Sequence, residues 1–315
     1  MRYDKTDLGG FGMAEILIRA LGFLLVIALG YMLKLRKVVR REDAGIFSAI
    51  VMNVTLPCTI LVSASSVQLG EGLLIPLLFG FAMNLVMDGI GYWEARGRGS
   101  RIQSIGLVQI SGYNIGTFTL PFVQAFFPVS YLVPVLLFDT GNALMVLGGN
   151  YTLAVALDSE REKMGIASIV RNLFGSVPFA VYLLTFAFSS LNLQIPSRIL
   201  SITSIAASAN PFLAMLMLGI LLDLKLDRKK IGRLIYLLCL RSCINILMGS
   251  IFYFLLPIDR MMKIMLLICL ASPISVMSPV YALKLGSYSA EPANLNSLSI
   301  LVSLVLMMLL IFMFA

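Results

Sequence analysis

Ser111-Gly112-Tyr113-Asn114-Ile115-Gly116-Thr117-Phe118-Thr119-Leu120-Pro121 lies inside a long apolar run, yet it is a poor membrane helix. Gly112 and Gly116 loosen the backbone. Pro121 removes an amide donor and frees the carbonyl near position 117. Irregular backbone at membrane depth survives only where it faces protein or a water-filled cavity. A second stretch has the same character: Ala271-Ser272-Pro273-Ile274-Ser275-Val276-Met277-Ser278-Pro279. Two prolines and three serines there do not suit a lipid-facing helix. Together the two stretches predict a pair of interrupted helices.

The surrounding chain is apolar enough to need a bilayer. Of 315 residues, 59% are hydrophobic and 13% charged, with a net charge of +8; the mean hydropathy is +0.95. Soluble domains run nearer half apolar and a quarter charged. Ten spans of about 20 residues would use about 200 residues, which leaves only short loops. There is no histidine, which excludes His-based triads, His-ligated zinc and a His proton relay. Cys58, Cys239, Cys243 and Cys269 lie in apolar runs without a CxxC and read as packing residues rather than metal ligands. No GxxxxGK[ST] occurs, and no basic patch is interleaved with exposed aromatics, so a nucleic-acid partner has no support. No cofactor is expected beyond a coupling ion.

The predicted spans are 13–33, 44–64, 72–93, 102–127, 131–156, 172–190, 199–222, 234–256, 262–283 and 294–314. The first is not a signal peptide, because its positive cluster follows the apolar run and no small-residue cleavage site is present. Seventeen basic residues fall after odd-numbered spans, from Lys34 and Arg36 through Arg161 and Lys163 to Lys225, Arg228, Lys229, Lys230 and Lys284. Six fall on the other side: Arg2, Lys5, Arg19, Arg198, Arg260 and Lys263. The positive-inside rule puts the seventeen in the cytoplasm and both termini outside, in an inner or plasma membrane.

Five spans lie on each side of a short loop, so the second half enters the membrane from the opposite face. The expected organisation is a first five-helix repeat (1–157), a cytoplasmic linker (158–171) and an inverted five-helix repeat (172–315). Prolines fall at matching places: Pro57 and Pro211 in spans two and seven, Pro121 and Pro279 in spans four and nine. Prolines are also simply common in membrane helices. The expected fold class is thus an all-α integral membrane protein of ten helices, with broken spans four and nine crossing.

In carriers built from inverted repeats, paired discontinuous helices mark the binding site near the midplane. Their half-helix N-termini suit an anion. Asn114, Gly116, Thr117, Pro121, Pro273, Ser275, Ser278 and Pro279 are the candidate substrate-binding residues, with Asn142 nearby on span five. Asn114 both donates and accepts, so it can hold a carboxylate. The bland alternative is that these are kinks that only assist packing. Asp139 is the deepest acid, a candidate Na⁺ or H⁺ acceptor or else half of a structural pair. Asp88 is a second coupling candidate, or is solvated near the cytoplasmic interface. Arg241 faces substrate or snorkels to the inner face.

The sequence resembles the auxin efflux carrier family, which includes bacterial malonate/malate-type permeases and is related to the bile-acid/sodium symporters. Leu29-Gly30-Tyr31, Arg41-Glu42-Asp43-Ala44 and Val51-Met52-Asn53-Val54-Thr55-Leu56-Pro57 are similar to that family's first two helices. Asn114 through Pro121 resembles its first crossover segment, Asn210-Pro211-Phe212 with Leu218-Gly219 its seventh helix, and Pro273, Pro279, Tyr281 and Ala282 its second crossover. Leu120 stands where the family often has Gly, and Val177 where it usually has Asn. The resemblance implies a scaffold and a transport domain, elevator-like alternating access, a homodimer and carboxylate substrates. It gives Asn114, Pro121, Pro273 and Pro279 to the site. The short linker lacks the long loop of plant auxin exporters.

The leading functional reading is a secondary carrier for a small organic anion such as malonate. The rivals are a Na⁺- or H⁺-coupled symporter or antiporter of the bile-acid type, and a membrane sensor without turnover. An intramembrane enzyme lacks an evident Ser/Lys or Asp/Asp pair.

Overall fold

The computed structural model describes residues 13–64, 74–158, 171, 175–191, 193–222 and 231–314. Arg2 and Lys5, residues 159–170 of the linker with Arg161 and Lys163, the first residues of span six (172–174), and Lys225, Arg228, Lys229 and Lys230 lie outside the described residues.

Among the described residues there is no strand; a single backbone bridge joins Tyr113 and Ile274. A bilayer offers no hydrogen bonds to the backbone, so apolar segments bond internally as helices. α1 is Met13–Leu35 and α2 is Ala44–Ile50, which runs through a wide turn at Val51–Thr55 into α3 (Leu56–Ala64). α4 (Leu74–Glu94) is unbroken. α5 (Ser100–Ile110) and α6 (Leu120–Phe126) share one predicted span, with a wide turn at Ile115–Thr119 between them. α7 (Leu132–Leu144) continues through Met145–Gly149 into α8 (Asn150–Leu157). The second half has α9 (Val177–Ser190), α10 (Ser197–Leu221), α11 (Ile231–Leu255), the pair α12 (Arg260–Leu270) and α13 (Met277–Lys284), and α14 (Glu291–Phe314).

Among the described residues, seven stretches are long and apolar enough to cross a membrane: Leu17–Leu35, Ala44–Ser63, Leu74–Glu94, Leu132–Leu157, Ser197–Leu221, Ile231–Leu255 and Glu291–Phe314. This is the composition a multi-pass membrane protein requires. Spans four and nine are each two short helices, because their polar and glycine-containing middles leave the helical path. Large apolar side chains stand exposed on outer faces, Ile18, Leu25, Ile205 and Phe254 among them; in a bilayer that surface meets lipid.

The helices gather into two bodies. α1, α2–α3, α9 and α10 pack on one another. α4, α5, α7, α8, α11, α12, α13 and α14 form the other, and α6 lies against both. Thr55 joins the first body across its proline-bearing helices by donating to Asn210 Oδ1 (2.8 Å). In the second body α4 and α7 meet at glycines: a Cβ on Gly80 would overlap the Phe138 carbonyl, and one on Gly141 the Leu77 carbonyl.

Candidate functional site at the helix crossing

α5 stops at Ile110 because Ser111 is extended (φ −88°, ψ 174°) and Gly112 takes φ +74°. Only glycine adopts that left-handed conformation without strain, and a Cβ there would lie 2.7 Å from that of Ser275. Helical backbone resumes at Ile115. α12 likewise stops at Leu270, and α13 starts at Met277. Each break strands amides and carbonyls that a continuous helix would pair. The two breaks cross and pair some of them with each other. The Asn114 N–H donates to the Pro273 carbonyl (2.9 Å), and the Ser275 N–H to the Gly112 carbonyl (3.3 Å).

More carbonyls converge there than amides can satisfy. Arg241 of α11 answers them. Its guanidinium donates to the carbonyls of Ile110, Gly112 (2.9 Å) and Ser272 (3.4 Å). It also lies over the Tyr113 ring, 4.6 Å from the centroid. Helix C-termini carry partial negative charge, so a cation is placed where two such ends meet. At 3% exposure Arg241 does not snorkel to an interface. That corrects the snorkelling alternative: the crossing's carbonyls replace the water the side chain would otherwise seek.

Asn142 holds the first break from α7. Its Oδ1 accepts from the Tyr113 N–H (3.1 Å) and from Asn84 Nδ2 (3.1 Å). Its Nδ2 donates to the Tyr113 carbonyl (2.9 Å) and to Asp139 Oδ1 (3.0 Å). Asp139 also accepts from the Tyr182 hydroxyl of α9 (2.9 Å), a bond that ties the two bodies together. On the second break, Ile274 donates to Ser299 Oγ (3.1 Å), and Asn296 Nδ2 donates to the carbonyls of Ile274 (2.8 Å) and Ser275 (3.1 Å). The Tyr113 hydroxyl donates to Asn245, which donates in turn to the Leu270 carbonyl (3.0 Å).

Asn114, Gly116, Thr117, Pro273, Ser275, Asp139 and Asn142 therefore come together at the crossing. Asn114 is buried; its Oδ1 accepts from the Thr117 hydroxyl, while its Nδ2 has no partner among the described residues. Gly116 sits against Leu56 and Asp139. The Ser275 hydroxyl accepts from the Met277 N–H (3.2 Å), at the start of α13. Two candidates turn to other work. Asn142 spends both ends of its amide on protein groups. Ser278 gives its hydroxyl to the carbonyls of Val108 (2.6 Å) and Gln109. Pro279 lies in the first turn of α13, where a missing N–H costs little, and Pro121 where the wide turn Ile115–Thr119 runs into α6; neither stands at a break. Asp88 is 3% exposed, not solvated at an interface; the Ser111 hydroxyl lies beside its carboxylate, but no hydrogen bond of good geometry reaches either oxygen among the described residues.

Sequence reasoning missed Tyr113, Asn84, Asn245, Asn296, Ser299 and the holding role of Arg241. Two signals were available. Arg241 and Asn245 lie one turn apart in an apolar helix, as do Asn296 and Ser299 with Ser303 a turn further on.

A cavity of about 460 Å³ opens between the two bodies, with Arg41 and Leu221 on one side and Val276, Pro279, Tyr288 and Asn296 on the other. At the opposite end of the same seam, Gln124 donates to the Ala207 carbonyl (3.1 Å) and Arg19 to the Ala125 carbonyl. Compared with known proteins, the chain matches no protein-family model and no curated relative.

Proposed function

We propose that the chain is a secondary carrier of small organic anions, with ten spans in two inverted halves and its substrate site beside the helix crossing. The observation that carries this reading is the crossing itself: two broken helices, one from each half, bonded backbone to backbone at Asn114–Pro273 and Ser275–Gly112. Discontinuous helix pairs of this sort form midplane sites in inverted-repeat carriers. The free Nδ2 of buried Asn114 supplies a donor for a carboxylate. The resemblance to the auxin efflux carrier family points the same way. In this reading α1, α2–α3, α9 and α10 are the scaffold, and the other body moves along it as an elevator. With the basic clusters facing the cytoplasm, as this reading has them, the 460 Å³ cavity opens inward. The Arg19 and Gln124 bonds hold its outer end shut, and the Tyr182–Asp139 bond joins the two bodies at the crossing.

Exchange of labelled malonate into proteoliposomes preloaded with unlabelled malonate tests the reading without an imposed gradient. Wild-type chain is expected to show counterflow. Asn114→Ala should weaken malonate binding by about 1–3 kcal/mol, the cost of an unpaired buried polar partner. Counterflow unchanged in Asn114→Ala would remove that residue from the site.

Cation coupling is favoured by one observation, the buried Asp88 carboxylate, which has no cation beside it and only the Ser111 hydroxyl near it among the described residues. Such a group binds a proton or a small cation rather than stay charged and bare. Asp88→Asn is expected to keep malonate exchange while abolishing any dependence of net uptake on Na⁺ or pH. Retained dependence would shift the coupling role to Asp139.

A further inference from the structure

Arg241 is a full positive charge in the interior with no acid among the described residues to answer it. Neither Asp88 nor Asp139 pairs with Arg241, and the ion pairs at Arg98 and Arg233 go to Glu94 and Glu291 instead. The two helix ends beside it offset the charge with carbonyl dipoles, about half a charge each, but no carboxylate among the described residues pairs with it, as a counter-ion ordinarily does for a buried ion. A guanidinium has five N–H donors. The three carbonyl bonds leave donors over.

Arg241 also forms one end of a cavity of about 490 Å³ between α11, α12 and α14. That volume is typical of ligand pockets. Its origin is legible in the sequence. In the first half α4 and α7 close on each other through Gly80 and Gly141. α14 has no glycine, so α11 and α14 stand apart. The lining is graded. Arg241, Asn245 and Ser303 occupy the end at the crossing, and Leu309, Phe254 and Met313 the other. Phe254 is 81% and Met313 74% exposed, so the apolar end opens on the outer surface of the bundle.

We propose that this cavity binds a long-chain alkyl carboxylate, its carboxylate on Arg241 and its chain running toward Phe254 and Met313. Arg241 lies roughly 15 Å along α11 from its start, near mid-membrane. A bilayer phospholipid keeps its head at the interface and its chain inward, the reverse of this polarity, so it does not fit. The inference is independent of the carrier reading and would stand if malonate were not carried.

The test is photolabelling of the full chain in zwitterionic nanodiscs with a diazirine-bearing dodecanoate and its dodecanol analogue, with adducts mapped by peptide mass spectrometry. The acid is expected to label α11 and α14 at the cavity, at least about tenfold more than the alcohol, as a lost charged hydrogen bond implies. Excess dodecanoate should compete and malonate should not. Leu306→Trp fills the cavity without touching the carbonyls Arg241 holds, and should abolish the adducts; Arg241→Met should do the same. Equal labelling by the alcohol would overturn charge recognition. Label spread over all lipid-facing helices, or persisting in Leu306→Trp, would overturn the site. Displacement by malonate would merge it with the crossing.

Discussion

Replacing Arg241 with methionine is expected to cost about 3–5 kcal/mol of stability, more than any other single change at the crossing. Methionine roughly keeps the volume but removes every donor. The carbonyls of Ile110, Gly112 and Ser272 are then left to find partners in an interior without water. Each orphaned buried acceptor costs about 1–3 kcal/mol, partly offset by removal of a charge that is itself expensive to bury. Thermal or denaturant unfolding in detergent micelles would show the loss as a lowered midpoint. Arg241→Lys should recover only part of it, because an ammonium lacks the planar fork that reaches two helix ends at once. A wild-type midpoint in Arg241→Met would mean that the crossing is held by its backbone pairing alone.

Asn142→Leu is the second large effect. Leucine nearly matches the amide in size and replaces none of its four bonds. The Tyr113 N–H and carbonyl are left unpaired at a left-handed break, and Asp139 loses one of its two donors. The expected result is a loss of about 2–4 kcal/mol in stability and of malonate exchange altogether. Asn142→Asp sharpens the test. It keeps the two acceptor bonds, loses both donor bonds and sets a second carboxylate beside Asp139. It should fail as Asn142→Leu does, by more than about tenfold in exchange rate. Wild-type exchange by Asn142→Asp would show that the donor half of the amide is dispensable.

The helical segments and the two places where they break were legible in the sequence, because apolar length and its interruption are local properties. Gly112 and the Pro273 region announced the breaks. Pro121 and Pro279 pointed only near them: Pro279 sits in a first helical turn, where a proline is tolerated, and Pro121 beyond the wide turn that follows the first break. Roles at the site were less legible. Asn114 and Asn142 look alike in sequence as polar residues in apolar runs. Only the register of α7 against the crossing decides that one spends its whole amide on the Tyr113 backbone and on Asn84 and Asp139 while the other keeps a free amide nitrogen. Arg241 was visible as a charge in a span. Its partners lie about 130 positions earlier and 31 later, a distance no local pattern reports.

That separation has a consequence for the order of synthesis. Gly112 emerges 129 residues before Arg241. At about 5–20 residues per second, the first break waits on the order of ten seconds in the membrane for the side chain that caps it, and longer for Pro273 and Ser275. The N-terminal half is therefore made as an unfinished object, its torn helix held open until the C-terminal half arrives. A ribosome that stalls after α8 and before α11 leaves a chain whose break carbonyls lack their Arg241 cap, a mark by which quality control could tell an abandoned chain from a finished one.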